Sequence, residues 1–144
     1  MNFKKIHHIA IICSDYTKSK DFYVNKLGLD IKQEIYREER DSYKLDLALN
    51  GEYIIELFSF PEAPARPSYP EARGLRHLAF EVEDIEGAVE ALNQKGIKAE
   101  EIRIDPYTDK KFTFFEDPDG LPLELYEIFP SLKKRALPTK RSAV

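Results

Sequence analysis

Gly74-Leu75-Arg76-His77-Leu78-Ala79-Phe80-Glu81-Val82-Glu83-Asp84 echoes a stretch near the N-terminus, Lys5-Ile6-His7-His8-Ile9-Ala10-Ile11-Ile12-Cys13-Ser14-Asp15. In both, a His is followed by apolar-Ala-apolar, and an Asp stands seven positions after the His. His8 and His77 lie 69 positions apart in a chain of 144 residues, so the period is close to half the chain. Such a period marks a duplicated module. Two modules packed about a pseudo-twofold axis would set one imidazole against the other, which is half of a metal site.

The rest of the chain repeats in the same phase. Residues 5–12 are apolar and β-branched and predict a strand. Asp15 caps a helix over 16–27, which Gly28 stops. Strands follow over 29–36, 43–49 and 52–58, the last two joined by the hairpin signal Asn50-Gly51. Residues 60–73 carry Pro61, Pro64, Pro67 and Pro70 and form a linker, long enough to double as a lid. The order then recurs: a strand over 75–82, Asp84 capping a helix over 85–95, Gly96, and strands over 97–104, 111–115 and 121–128. The turn Asp117-Pro118-Asp119-Gly120 precedes the last strand. The expected fold is α+β: two tandem βαβββ modules, 5–59 and 74–129, forming a curved mixed sheet around a shared metal cavity. They make one domain, 1–130, followed by a basic C-terminal tail, 131–144.

Composition narrows the function. A net charge of −4 argues against nucleic acid as a partner. No apolar run approaches the ~20 residues of a membrane span. The N-terminus lacks the apolar core of a signal peptide. The single cysteine, Cys13, excludes an internal disulfide and is expected to be a small core residue. These features together give a cytoplasmic expectation. No nucleophile elbow, phosphate loop or paired-cysteine motif is present.

A second polar position travels with the histidines. The fourth strand of the first module carries Ile55-Glu56-Leu57, and that of the second carries Leu123-Glu124-Leu125. Glu56 and Glu124 are 68 positions apart, in step with the histidines. Strand alternation places His8 with Ala10 and Ile12, and His77 with Ala79 and Glu81, on faces suited to a cavity. His7 points the other way. Glu81 is a cavity-wall residue and the first place to seek a substrate contact; Phe58, Phe114 and Tyr126 can face the same space. A carboxylate on an apolar strand face is costly unless paired or metal-bound. Two imidazoles and two carboxylates balance one divalent cation, so His8, Glu56, His77 and Glu124 are the expected ligands. Nickel and zinc lead, with cobalt, manganese and iron also compatible.

The motifs His8-Ile9-Ala10-Ile11, Phe22-Tyr23 with Leu27-Gly28-Leu29, Ile55-Glu56-Leu57, Leu75-Arg76-His77-Leu78-Ala79-Phe80, and Asp117-Pro118-Asp119-Gly120 before Leu123-Glu124-Leu125 together resemble the vicinal oxygen chelate superfamily. That superfamily holds glyoxalase I, bleomycin- and fosfomycin-resistance proteins, methylmalonyl-CoA epimerase and extradiol dioxygenases. The resemblance covers residues 5–128 and implies paired βαβββ modules with ligands at His8, Glu56, His77 and Glu124. A carboxylate at Glu56 matches the glyoxalase I-like branch, whereas the dioxygenases and fosfomycin enzymes use two His and one Glu. The implied activity is that of a metal-dependent lyase or isomerase, such as lactoylglutathione lyase. It would act on a small substrate with two adjacent oxygens through an enediolate, with Glu124 and Glu56 as the catalytic carboxylates and Glu124 as the proton shuttle. The glutathione-binding Arg and Asn of the bacterial enzyme are not matched, because those neighbourhoods read Ile11-Ile12 and Leu57-Phe58-Ser59-Phe60. A homodimer is expected, since members close the cavity either within one chain or between two. Two other readings stay open: a metal-independent ligand-binding or antibiotic-resistance module, and a ferrous extradiol dioxygenase.

Overall fold

The computed structural model describes residues 1–130, so the basic tail predicted over 131–144 lies outside the described residues. The first module runs β1 (Ile9–Cys13), α1 (Tyr16–Lys20), a π-helical turn (Asp21–Lys26), β2 (Asp30–Arg37), a short 3₁₀ turn (Glu38–Arg40), β3 (Ser42–Leu49) and β4 (Glu52–Ser59). The second runs β5 (Leu78–Val82), α2 (Ile85–Gln94), β6 (Arg103–Ile104), β7 (Lys110–Glu116) and β8 (Pro122–Pro130). The strands make two four-stranded mixed sheets of the same topology, β1-β4-β3-β2 and β5-β8-β7-β6, as the tandem βαβββ modules require. In each, the first strand pairs in parallel with the fourth and the remaining pairs are antiparallel.

Local chemistry accounts for most boundaries. Asp15 accepts from the Lys18 N–H at 3.0 Å, and Asp84 from the Gly87 N–H at 3.1 Å, so both caps form as expected. Asn50 and Gly51 take φ of 50° and 81°, the left-handed pair that a tight hairpin requires. The first helix departs from expectation. After Lys20 it widens, and the Leu27 N–H reaches back five residues to the Phe22 carbonyl at 2.9 Å. The wide turn sits where adjacent residues Phe22 and Tyr23 are both buried.

Three predicted strands are shorter than expected. Pairing begins only at Ile9↔Ile55 and Leu78↔Leu123, so His8 and His77 stand just before their strands. The strand predicted over 97–104 shrinks to Arg103–Ile104. Its earlier part follows β7 through single contacts: the Glu100 N–H donates to the Phe114 carbonyl at 2.8 Å, and the Thr113 hydroxyl to the Glu100 carbonyl at 2.9 Å. A side chain there takes the acceptor that a regular ladder would have used.

The modules pack through one face of each sheet. Ile11, Leu45, Leu47, Ile55 and Leu57 of the first share a core with Phe115, Leu123 and Leu125 of the second, and with Phe22, Ile85 and Leu92 of the helices. The buried Tyr23 hydroxyl crosses the seam to donate to Asp117 at 2.8 Å. The opposite face of each sheet is therefore turned away from the shared core. The linker is tied down beside β1: the Phe60 N–H donates to the Cys13 carbonyl at 3.1 Å and Ser68 Oγ to the Gly120 carbonyl at 2.8 Å. Cys13 is buried, as expected, and burial pushes its thiol up to about 11. No helix among the described residues is long and apolar enough to cross a membrane.

Candidate metal centre

On the open face of the first sheet, residues align in rows across the strands. Gln33, Asp46, Glu56 and Ala10 form one row; Ile35, Lys44, Phe58 and Ile12 form the next. In the second sheet the matching rows are Phe114, Glu124 and Ala79, then Arg103, Phe112, Tyr126 and Glu81. Each Glu thus sits opposite the Ala two residues beyond the module's His, which brings His and Glu to one face. His8 Nε2 lies 3.1 Å from Glu56 Oε2, and His77 Nε2 lies 2.9 Å from Glu124 Oε2.

Those separations suit a divalent ion. Two donors bound at about 2.1 Å and at right angles stand about 3 Å apart. Each His–Glu pair therefore has the spacing of adjacent ligands on one metal, with the unsubstituted edge of the imidazole facing the carboxylate. The chemistry of the donors fits as well, two nitrogens and two carboxylates for a dication. What one chain does not do is bring the pairs together. Among the described residues no group of three or more His, Cys, Asp or Glu converges on a common point. The sequence left open whether the cavity closes within one chain or between two; here the two His–Glu pairs stand apart on outward faces, because the modules spend their inner faces on the core.

The supports of the half-sites differ. His8 Nδ1 is 2.8 Å from His7 Nδ1, and its ring stacks on Tyr53 with centroids 5.2 Å apart. A second imidazole on Nδ1 fixes the orientation of His8 and leaves Nε2 aimed at Glu56. Lys44 Nζ lies 2.9 Å from Glu56 Oε1 and 2.6 Å from Asp46 Oδ1. Partial burial pulls the Lys44 ammonium down, but the hydrogen bonds to Asp46 and Glu56 outweigh it and hold the group above its ordinary value. Tyr53 donates to the same Asp46 at 3.1 Å; burial, then the Asp46 charge, pushes its phenol well up. His77 instead meets the edge of Phe114, centroids 5.1 Å apart, and Phe114 packs against Phe112.

Of the residues singled out in the sequence, Phe114 and Tyr126 share the open face of the second module and Phe58 that of the first. Glu81 is exposed, pairs with Tyr126 in the second sheet, and also lines a cavity of about 250 Å³ together with His8, Leu49 and Ile54. His7 turned out to support His8. Lys44, Asp46 and Tyr53 were missed. The alternation Tyr43-Lys44-Leu45-Asp46-Leu47 would have put Lys44 and Asp46 on the Glu56 face.

Paired βαβββ sheets with an in-phase His–Glu pair on each open face define a protein of the vicinal oxygen chelate fold. The chain belongs to the Glyoxalase/Bleomycin resistance protein/Dioxygenase superfamily, whose family model matches residues 5–125. It is 68% identical over 127 residues to the uncharacterized protein YwkD of Bacillus subtilis, covering 88% of this chain and 99% of that one. Metallothiol transferase FosB of Staphylococcus saprophyticus is 33% identical over 129 residues, covering 85% and 76%. Among solved structures, the glyoxalase family protein from Enterococcus faecalis superimposes with a TM-score of 0.82 at 55% identity, over 88% of this chain and 100% of that one. Leishmania major glyoxalase I, at 22% identity, shares the fold with a TM-score of 0.65 over 87% of each chain.

Proposed function

We propose that the protein is a metal-dependent lyase or isomerase of the glyoxalase I type, with His8, Glu56, His77 and Glu124 as ligands of one divalent ion. The observation that carries this reading is the pair of His–Glu half-sites, each at ligand spacing and each on an outward face. A second copy of the chain would close them. In a twofold homodimer, His8 and Glu56 of one protomer face His77 and Glu124 of its partner, and two such sites form. A fourth ligand at Glu56 favours the glyoxalase I-like set over the two-His, one-Glu set of a dioxygenase. Nickel or zinc is the expected metal.

When bound, the ion would polarise the adjacent oxygens of an α-hydroxyketone or hemithioacetal and acidify the neighbouring C–H. The chain's own residues do the rest. Glu124, set against Phe114 with its Oε2 2.9 Å from His77 Nε2, takes the carbon-bound proton and returns it to the adjacent carbon. Glu56 is held from behind by Lys44 and stays in place. Phe112, Phe114 and Tyr126 line the space around the base and keep water from competing for the proton. A hemithioacetal of glutathione would make the protein a lactoylglutathione lyase.

The test is metal analysis of the purified protein, followed by solvent deuterium uptake into an α-hydroxyketone and a hemithioacetal by NMR. One divalent ion per chain and chelator-sensitive exchange are expected. Full metal occupancy in His77→Ala, or exchange indifferent to chelator, would overturn the assignment.

A further inference from the structure

Beyond the metal half-site, the open face of the first module carries a second group whose bonding is incomplete. Arg37, at the end of β2, sits against two rings, its guanidinium carbon 4.6 Å from the Phe58 centroid and 5.6 Å from that of Phe60. One terminal nitrogen donates to Ser42 Oγ at 2.9 Å. Its Nε is buried and has no hydrogen-bond partner among the described residues. Nor does any carboxylate among the described residues form an ion pair with Arg37. Lys44, the neighbouring cation, is already held by Asp46 and Glu56. A guanidinium has five N–H donors in a rigid fork, and a buried one left unanswered is costly. A purely structural arginine would turn that fork to a carboxylate. Here two aromatic rings pack against the guanidinium of a half-buried side chain that meets no carboxylate among the described residues, which is preparation for a planar or tetrahedral oxyanion.

Position ties this group to the half-site. Phe58 stands two residues from Glu56 on the same face of β4, about 6.6 Å along the strand. An anion on Arg37 would therefore share the open face of the first sheet with Glu56.

The geometry points to an oxyanion subsite at Arg37, and hence to a substrate that carries a carboxylate or phosphate beside its two adjacent oxygens; the substrate claim rests on the metal reading above. The subsite lies on β2, away from the Ile11-Ile12 neighbourhood.

Calorimetric titration of the metal-loaded protein with glycolate, malate and 3-phosphoglycerate tests this. All three offer a hydroxyl and a carboxylate on adjacent carbons. Malate adds a carboxylate, and 3-phosphoglycerate a phosphate. At least one of the latter should bind about tenfold more tightly than glycolate. That gain should vanish in Arg37→Gln with glycolate affinity and metal content unchanged. The probe that shows the gain tells carboxylate from phosphate. Arg37→Lys, which keeps the charge and loses the fork, should lose most of the gain and serves alone if Arg37→Gln does not fold. Equal affinities for the three probes, or a gain that survives the substitution in folded protein, would overturn the subsite. If the protein takes up no metal, the metal reading fails separately. Inorganic phosphate and acetate titrated into the metal-free protein then decide: Arg37-dependent binding of either sustains the subsite, and its absence removes it.

Discussion

Around Glu56 stand Lys44 and Asp46; the same lattice positions around Glu124 hold Phe112 and Phe114. Duplication preserved the backbone, the His and the Glu in both modules, yet set charged residues beside the first Glu and aromatic rings at the same positions beside the second. The first carboxylate is pinned from behind by an ammonium, and its histidine is braced by His7 and Tyr53. The second forms no ion pair with a Lys or Arg among the described residues, and the ring of Phe114 stands opposite it across the strands. On the proposed mechanism the labour of the duplicated pair divides: one half anchors, the other moves the proton.

The sharpest way to break that comparison is at the two carboxylates. Glu124→Gln should lower deuterium exchange by about 100- to 10,000-fold while metal remains bound. An equal loss from both Glu124→Gln and Glu56→Gln at equal metal content would erase the distinction. Next comes the seam that turns the two faces outward. Tyr23→Phe deletes the buried hydrogen bond to Asp117 and should cost about 1–3 kcal/mol in urea unfolding. A smaller cost would mean that apolar contact alone holds the modules back to back.

Exchanging residues between the faces sharpens the comparison further. Lys44→Phe imports the residue of the second module and removes a cation 2.9 Å from a ligand oxygen. Divalent metal affinity should rise about tenfold, measured by competition with a chromophoric chelator. Phe112→Lys should do the reverse.

The smallest effect is a pH dependence at the seam. Burial raises the Asp117 carboxyl above its ordinary value, against the hydrogen bonds it accepts from the Leu121 N–H, the Tyr23 hydroxyl and the Asp119 N–H. Folding therefore favours its protonated form. The stability this contributes is full below the ordinary carboxylate range and falls away as pH rises through the raised value. The stability of wild type relative to Asp117→Asn should accordingly decline from pH 3 to 6, as followed by urea midpoints.

Much of this was legible in the sequence because it recurs. His8 and His77, Glu56 and Glu124, and the caps Asp15 and Asp84 each appear twice in phase, and alternation along β1 and β5 sorted core from open face. What does not recur was hidden. Lys44, Asp46 and Tyr53 have no counterparts in the second module, so reading by repeat passed over them although strand parity held the information for the first two. The widened turn at Phe22-Tyr23 and the shortening of the strand at 97–104 answer to packing and to the Thr113 hydroxyl, which local pattern does not encode. The outward facing of the half-sites depends on which sheet faces the two modules share, a tertiary choice that apolar alternation permits without dictating.

That outward facing is the core of the account, and subunit mixing tests it. His8→Ala and His77→Ala chains, carrying different affinity tags, would be co-expressed and the mixed dimers assayed for bound metal and for exchange. If each site takes one half from each chain, a mixed dimer has one site with both histidines lost and one intact. The random mixture should then recover about a quarter of the wild-type sites, and the isolated mixed dimer about half. Mixed dimers that bind no metal, while the wild-type protein binds it fully, would contradict the account and place all four ligands within one chain.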